Sequence, residues 1–281
     1  MLDVRDAARR VGTRKAAPAP LISTRTSATS AGRPQPETRN SVAWLGHSCT
    51  AIRLDGLLVV TDPVLRRRVF HLRRGTAVDP SALADVDAIL ISHTHYDHLD
   101  LPSLDQLNLG ARGIVPAGAG RLLRRRGFRY VCEVVAGNEV QLGPLRIQAT
   151  HAEHGSPWRV GAGRTQPLGF VIKGTRTVYF AGDTDVFDGM RNLGRIDVAL
   201  LPVAGWGPRL PPGHLDPLRA AEALDLIQPR VVIPIHWGTY SPWRAPSHSD
   251  EAAMKFAEIA ATVAPAVEVL VLSPGQSHAL D

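Results

Sequence analysis

Cysteine is nearly missing from this chain: Cys49 and Cys132 are the only two in 281 residues, far apart and without short paired spacings. That excludes a secreted disulfide framework and a thiolate zinc site, so a bound metal must rely on histidine and carboxylate. Long apolar runs are missing too. None approaches the roughly 18–20 residues needed to cross a bilayer, and the N-terminus lacks the continuous apolar core of a secretory signal. The expected location is therefore cytoplasmic, with no transmembrane segment. A charge excess is also missing from most of the chain. The net charge is +6, but residues 1–40 hold 8 Lys and Arg against 3 Asp and Glu, which leaves +1 for residues 41–281. A basic polar tail reads as a solvated segment, so nucleic acid is not an expected partner. Asp3 and Asp6 count against an organelle transit peptide.

What is present begins at Ser41. Residues 1–40, rich in Ala, Pro, Ser, Thr and Arg, show no helical or strand period and are expected to be a disordered tail. From residue 41 to 281 the chain reads as one domain, with 44% hydrophobic content overall and no internal repeat. Short apolar runs predict strands at Val42–Leu45, Thr50–Leu54, Leu57–Thr61, Ala88–Ser92, Arg112–Val115, Leu145–Thr150, Leu168–Lys173, Thr177–Ala181, Val198–Val203, Val231–Ile235 and Val267–Leu272. One helix is expected from Asp216, an N-cap followed by Pro217, to about Ile227. Another is expected from about Ser249 to Val263, burying Ala252, Phe256, Ile259 and Val263. Groups of strands with a few helices suggest layered sheets with helices outside.

The chemistry concentrates in Ser92-His93-Thr94-His95-Tyr96-Asp97-His98, at the end of an apolar strand. Four candidate ligands in six residues are dense, and imidazole with carboxylate suits Zn, Mn or Fe when thiolates are absent. In extended backbone His93 and His95 point the same way and can share one metal, while the following turn can swing Asp97 and His98 toward a second. Asp183, after the strand Thr177–Ala181, can bridge two cations, with Gly182 allowing close backbone approach. His236 ends the strand Val231–Ile235.

Taken together, Trp44-Leu45-Gly46-His47-Ser48, Thr61-Asp62-Pro63, the His93–His98 cluster, Ala152-Glu153-His154-Gly155, Phe180-Ala181-Gly182-Asp183-Thr184, His214-Leu215-Asp216-Pro217 and Ile235-His236-Trp237-Gly238-Thr239 resemble the metallo-β-lactamase superfamily. Within it they resemble the branch of N-acyl-phosphatidylethanolamine phospholipase D and ascorbate-6-phosphate lactonase. The resemblance covers residues 41–275. It implies an α/β, four-layer αββα sandwich of two mixed sheets packed face to face with helices outside. It implies two divalent transition-metal ions, zinc first, with Mn or Fe accepted by the same donors. His93, His95 and His154 would hold one, Asp97, His98 and His236 the other, and Asp183 would bridge. His151 competes with His154, and the Ala-Glu-His-Gly context favours His154. Asp62 and Thr184 are expected beside the ligands, Asp62 as the carboxylate that orients a ligand histidine. The resemblance puts His47 and His214 on loops near the mouth of the site. There His214 would contact a leaving-group or phosphate oxygen, and His47 would orient substrate; with Asp97 they complete the expected catalytic set. Trp206 reads as a pocket wall or as a packed core residue.

Two cations activating a shared water imply hydrolysis. The run Arg66-Arg67-Arg68-Val69-Phe70-His71-Leu72-Arg73-Arg74 favours a small-molecule or lipid substrate that carries phosphate, with Arg66, Arg67, Arg68 and His71 as contacts. The same arginines also fit a solvated loop, and the interleaved apolar residues fit peripheral membrane contact. A lactonase or ester hydrolase using the same metals is the first rival. A nuclease, which would be expected to carry an added nucleic-acid-binding domain, and a non-catalytic metal sensor follow. Because the tail composition cannot bury enough apolar surface to order itself, deleting residues 1–40 is expected to leave the melting temperature and the turnover of a small soluble substrate nearly intact. A large drop in melting temperature would show that the tail packs on the domain.

Overall fold

The runs Leu57–Thr61, Leu168–Lys173, Val198–Pro202 and Val231–Ile235 are buried along almost their whole length. Strands apolar on both faces need cover on both sides. In the computed structural model two sheets packed face to face supply one cover and helices the other. The structure describes residues 39–155, 158–159, 161–204, 210–242 and 249–280. The expected tail, up to residue 38, lies outside the described residues, and so does Trp206.

Three strands open the domain: β1 (Ser41–Gly46), β2 (Cys49–Leu54) and β3 (Leu57–Thr61). A small hairpin follows, β4 (Arg68–Val69) and β5 (Leu72–Arg74), then β6 (Ala88–Leu90) and the short helix α1 (Leu101–Leu104). Next come β7 (Arg112–Pro116), α2 (Gly120–Arg124), β8 (Tyr130–Val134), β9 (Glu139–Leu142) and β10 (Leu145–His151). A second hairpin, β11 (Trp158–Arg159) and β12 (Gly163–Arg164), leads to β13 (Leu168–Lys173), β14 (Thr177–Phe180) and β15 (Val198–Pro202). The chain ends with α3 (Pro217–Ile227), β16 (Val231–Ile235), β17 (Tyr240–Pro242), α4 (Glu251–Val263), β18 (Glu268–Val269) and β19 (Ser277–Ala279).

The first sheet runs β19-β1-β2-β3-β6-β7-β8 and the second β18-β16-β15-β14-β13-β10-β9. Both mix antiparallel pairs, such as β1 with β2, and parallel pairs, such as β15 with β16. Trp44, Ile52, Leu54 and Leu90 of the first sheet share one core with Ile147, Phe170, Phe180 and Ile233 of the second. Leu58, Val60 and Ile89 face the other way, onto Leu104, Leu122 and Leu123 of α1 and α2. Helices α3 and α4 pack together, and α4 lies against β16 and β18. This is the four-layer αββα sandwich expected from the sequence.

Asp216 caps α3 by accepting from Arg219 N at 2.9 Å, with Pro217 in the first turn, and Gln228 ends the helix in the left-handed region. In α4 the expected buried stripe is displaced. Ala253, Phe256, Ala257 and Ala260 are buried, whereas Ala252 and Ile259 are half-buried and Val263 is 44% exposed. The buried face is the one that meets α3 and the edge of the second sheet, which leaves Ile259 only half-buried and Val263 turned toward solvent. The strand expected over 267–272 is shorter, Glu268–Val269, and pairs only with β16 at the sheet edge. Strands β8 and β9 escaped the sequence reading because each is a sheet edge with a half-exposed pattern.

Both cysteines are free. Cys49 is fully buried, and that burial pushes its thiol pKa up to about 12. An aromatic disulfide reagent at pH 8 is therefore expected to titrate one thiol, Cys132, in the native protein and two after denaturation. Rapid native reaction at Cys49 would show that the turn following β1 opens readily.

Candidate metal centre

Parallel strands in one sheet end at one edge, so residues just past their C-terminal ends meet. Here Asp62 follows β3, His93 to His98 follow β6, His154 follows β10, Asp183 follows β14 and His236 follows β16. The two sheets bring these ends together. His93, His95 and His154 form one group able to hold a metal ion, and His47, Asp97, His98 and His236 form another. Asp62 joins His93 and His98, and Asp183 joins His154 and His214.

The hydrogen bonds on the far side of each ring fix what it presents inward. The Nδ1–H of His154 donates to Gly213 O (2.9 Å), that of His214 to Pro211 O (3.0 Å) and that of His236 to Ala204 O (2.6 Å). A carbonyl can only accept, so these rings carry their proton on Nδ1 and turn the Nε2 lone pair inward. His98 does the same through Nδ1–H to Asp62 Oδ2 (2.8 Å). Ser92 Oγ donates to Asp62 Oδ2 (2.5 Å) and accepts from His93 Nδ1 (2.9 Å). Five imidazoles thus aim lone pairs at a shared space, the tautomer choice that metal ligands need.

Those lone pairs face other acceptors. His98 Nε2 stands 3.3 Å from His236 Nε2 and 3.1 Å from Asp183 Oδ2, and His236 Nε2 stands 3.3 Å from Asp183 Oδ1. His95 Nδ1 lies 3.3 Å from His154 Nε2 and 2.9 Å from His93 Nε2. Asp183 Oδ1 is buried without a hydrogen-bond partner. Donors about 2.0–2.1 Å from a tetrahedral zinc stand about 3.3 Å apart, so the side chains present fit divalent metal ions. Asp183 contributes Oδ1 toward His236 and Oδ2 toward His98, with His93 (3.9 Å) and His214 (3.5 Å) farther from Oδ2.

The charge states agree. Burial, reinforced by His98, holds His93 well below the usual histidine range and lowers His95 to about 4. Burial lowers His154 as well. These rings are neutral at pH 7 and ready to ligate. Burial pushes Asp183 up, but His236 and His98 outweigh it and hold the carboxylate well below its ordinary value. His98 is driven down by burial yet ends well above its ordinary value, because Asp183 and Asp97 face it.

Tight backbone makes the convergence possible. His47, Asp62 and His236 have φ of 55°, 35° and 64°, the left-handed region that costs non-glycine residues energy and clusters at functional sites. Gly182, at φ 63°, has no room for a Cβ, which would meet Leu168 O at 2.8 Å and Ser92 Cβ at 2.7 Å. Thr184 is buried and accepts from Glu153 N (2.8 Å) while donating to Asp185 O (2.8 Å). It ties the loop bearing His154 to the loop bearing Asp183.

His47 requires a correction. It does not lie at the mouth of the site. It is 2% exposed, with its ring 4.0 Å from that of His236 and its Nε2 3.1 Å from Asp97 Oδ2. The turn between β1 and β2 directs it inward, where Thr239 Oγ1 accepts from His47 N at 2.6 Å and His47 O accepts from His236 N at 2.9 Å. His214 is more accessible: its ring packs edge-on against His154 at 4.7 Å. His151 points away, 54% exposed, with Nε2 3.2 Å from Glu153.

Of the expected substrate contacts, Arg66 is committed elsewhere, since its guanidinium binds the Asp100 carboxylate through Nε (2.8 Å) and Nη2 (2.5 Å). Asp100 sits just past the histidine cluster and caps α1, so the pairing anchors the loop. Arg67, Arg68 and His71 are exposed on the β4–β5 hairpin. The hairpin touches the cluster through Phe70, whose ring packs edge-on against Tyr96 at 4.8 Å.

Sequence reasoning missed Arg74. It is buried and donates to Thr76 O (2.8 Å), Val64 O (2.6 Å) and Leu45 O, joining the hairpin to the end of β1. Ser92 was also missed, though a hydroxyl next to the first histidine was visible. The carbonyl acceptors of Ala204, Pro211 and Gly213 leave no trace in a side-chain pattern.

Comparison with known proteins agrees with this geometry. The family described as "Beta-lactamase superfamily domain" matches residues 58–237. A metal-dependent hydrolase of Methanopyrus kandleri is 32% identical over 249 residues, covering 84% of this chain and 98% of that protein. A metallo hydrolase from the hyperthermophilic archaeon Ignicoccus hospitalis superposes with a TM-score of 0.67 at 26% identity, over 87% of this chain and 99% of that one. A diiron β-hydroxylase from Streptomyces venezuelae has the same fold, with a TM-score of 0.66 at 20% identity, over 88% of this chain and 55% of its own.

Because His154 faces His95 while His151 points outward, His154→Ala is expected to lower metal content and reduce turnover severely. His151→Ala should retain its metal and lose activity at most modestly. Metal analysis of both variants beside the parent, with circular dichroism to confirm folding, decides it; metal loss only in the His151 variant would reverse the assignment.

Proposed function

The chain belongs to the metallo-β-lactamase superfamily and is a metal-dependent hydrolase, and on that premise we propose that it hydrolyses a phosphodiester or another phosphorylated substrate. The observation that carries the hydrolytic reading is the pair of adjoining ligand groups, His93/His95/His154 and Asp97/His98/His236, with Asp183 reaching toward both. Two divalent ions, zinc first, would supply an acidified water and offset the negative charge that develops on the attacked group.

The chain's own residues do the rest. Asp62 and Ser92 hold the tautomers of His98 and His93, so neither ring turns as charge shifts during reaction. His47 fixes Asp97 through the 3.1 Å contact. His214 is held at Nδ1 by Pro211 O, and its Nε2, 3.5 Å from Asp183 Oδ2, would in this reading also contact the leaving-group oxygen.

Phosphate is supported by the β4–β5 hairpin. Its tip packs on Tyr96, between two candidate ligands, and Arg67, Arg68 and Arg73 are exposed around it. Guanidinium is the side chain best shaped for phosphate oxygens.

Metal analysis is expected to find close to two ions per chain; full activity with one would sink the two-ion reading. On a panel of phosphodiester, phosphomonoester and lactone substrates, the phosphodiester should turn over fastest. Replacing Arg67 and Arg73 by Ala should raise KM for it by about tenfold for each phosphate-binding guanidinium removed, which corresponds to about 1.4 kcal/mol. Faster lactone turnover, indifferent to the arginines, would make the protein a lactonase instead.

A further inference from the structure

The loop that carries most of the candidate ligands is short and sharply turned. Within it His95 O accepts from Leu99 N at 2.8 Å and from His98 N at 3.2 Å, so the turn from Thr94 to Leu99 closes on itself from one side. Its outer carbonyls, Thr94 O and Leu99 O, face away from that closure. Both accept from a single atom, Arg159 Nη1, at 3.1 and 2.6 Å. The guanidinium carbon lies 4.1 Å from the centroid of the Tyr96 ring, at the tip of the same turn. Arg159 is only 5% exposed.

A buried guanidinium is costly to desolvate, and apolar residues of the same volume often fill such a space more favourably. Among the described residues the hydrogen bonds of Arg159 go to these two carbonyls, and its cationic face meets Tyr96. The arginine therefore serves two contacts at once: its Nη1 reaches both ends of the turn, and its planar face meets the ring at the tip. The chain segment supplying Arg159 follows directly on His154, which belongs to the His93/His95/His154 group. A few residues later Thr165 Oγ1 meets Thr94 Oγ1 at 3.0 Å. One segment thus contributes a ligand from the second sheet and grips the loop bearing ligands from the first.

We propose that Arg159 is a positioning residue for the metal centre, clamping the Thr94–Leu99 turn so that His95, Asp97 and His98 keep their spacing from His154, Asp183 and His236. This rests on the metal-centre reading above. Ligand spacings of this kind tolerate little drift, and losing a group that orients ligands commonly costs about 10–100-fold in metal affinity.

The test uses protein whose resident metal has been exchanged for Co²⁺, whose visible absorption reports coordination geometry, titrated with a competing chelator. Arg159→Met should lose cobalt at about tenfold lower chelator concentration or less, with an altered visible band, while its far-ultraviolet circular dichroism stays parental. Arg159→Lys, which keeps a cationic donor but no planar face for Tyr96, should recover part of the affinity. A residue that only stabilises the fold would lower the melting temperature and leave the chelator midpoint and band unchanged, and that result overturns the proposal. Should Arg159→Met not fold, Arg159→Gln, whose amide is too short to reach both carbonyls, is read by the same two measurements. If the parent itself binds no cobalt, the metal-centre reading fails rather than the clamp.

Discussion

The structure turns on one electrostatic constraint: imidazole lone pairs and carboxylate oxygens are held within about hydrogen-bond distance of one another with too few protons to go around. The Nδ1 hydrogens of His93, His98, His154, His214 and His236 are all engaged on the outer side of the cluster. What remains inside repels unless a cation occupies the space. Each outer acceptor therefore has a double role, fixing a tautomer and making the interior acceptor-rich. Asp62 shows it most fully. Its two oxygens take Ser92 N, Ser92 Oγ and His98 Nδ1, so one buried carboxylate orients two rings of different groups.

Holding such a cluster requires rigidity that the ligands cannot provide themselves. It comes from backbone forced into tight places. Gly46 precedes His47 at φ 105°, where a Cβ would strike the Arg74 guanidinium at 2.7 Å and Thr239 at 2.9 Å. Arg74 in turn binds Leu45 O, while Thr239 receives His47 N. His47 is thereby locked between the first sheet and the turn after β16, and Asp97 through it. The strained φ of His47 and His236 is sustained because His236 N donates to His47 O and His47 N to Thr239 Oγ1.

The parts legible in the sequence were those whose chemistry is local. The His93–His98 run announces itself by density, and Asp183 and His236 by standing at the ends of apolar strands. The layered fold followed from strands buried on both faces. Side-chain contacts made across long separations were not legible. Arg74 sat within a run of arginines that read as a phosphate-binding or solvated loop, yet three backbone carbonyls hold it inside the protein. Arg66 in the same run is taken by Asp100. Composition cannot tell which arginine of a cluster turns inward, because that depends on which carbonyls the fold leaves unpaired. The helix stripe of α4 misled for a related reason: period alone fits two neighbouring stripes, and only the packing of α4 on α3 selects the one with Ala253, Phe256, Ala257 and Ala260.

The two levels of function separate along the same line. The candidate ligands lie at strand ends, where the shared core dictates their place and the αββα frame carries them together. Groups that would choose a substrate lie on the β4–β5 hairpin and on the loop before α3. Phe70 at the hairpin tip illustrates the difference. It holds a left-handed φ of 50° while 70% exposed, a position where glycine or asparagine would be less strained. Core packing does not demand a phenylalanine there; its ring rests on Tyr96, which stands between His95 and Asp97 in the chain and ties the hairpin tip to the chemistry. The candidate metal centre is therefore set by the fold, whereas the aromatic tip and the exposed arginines beside it lie on a hairpin at its edge, where the substrate proposed above would meet them.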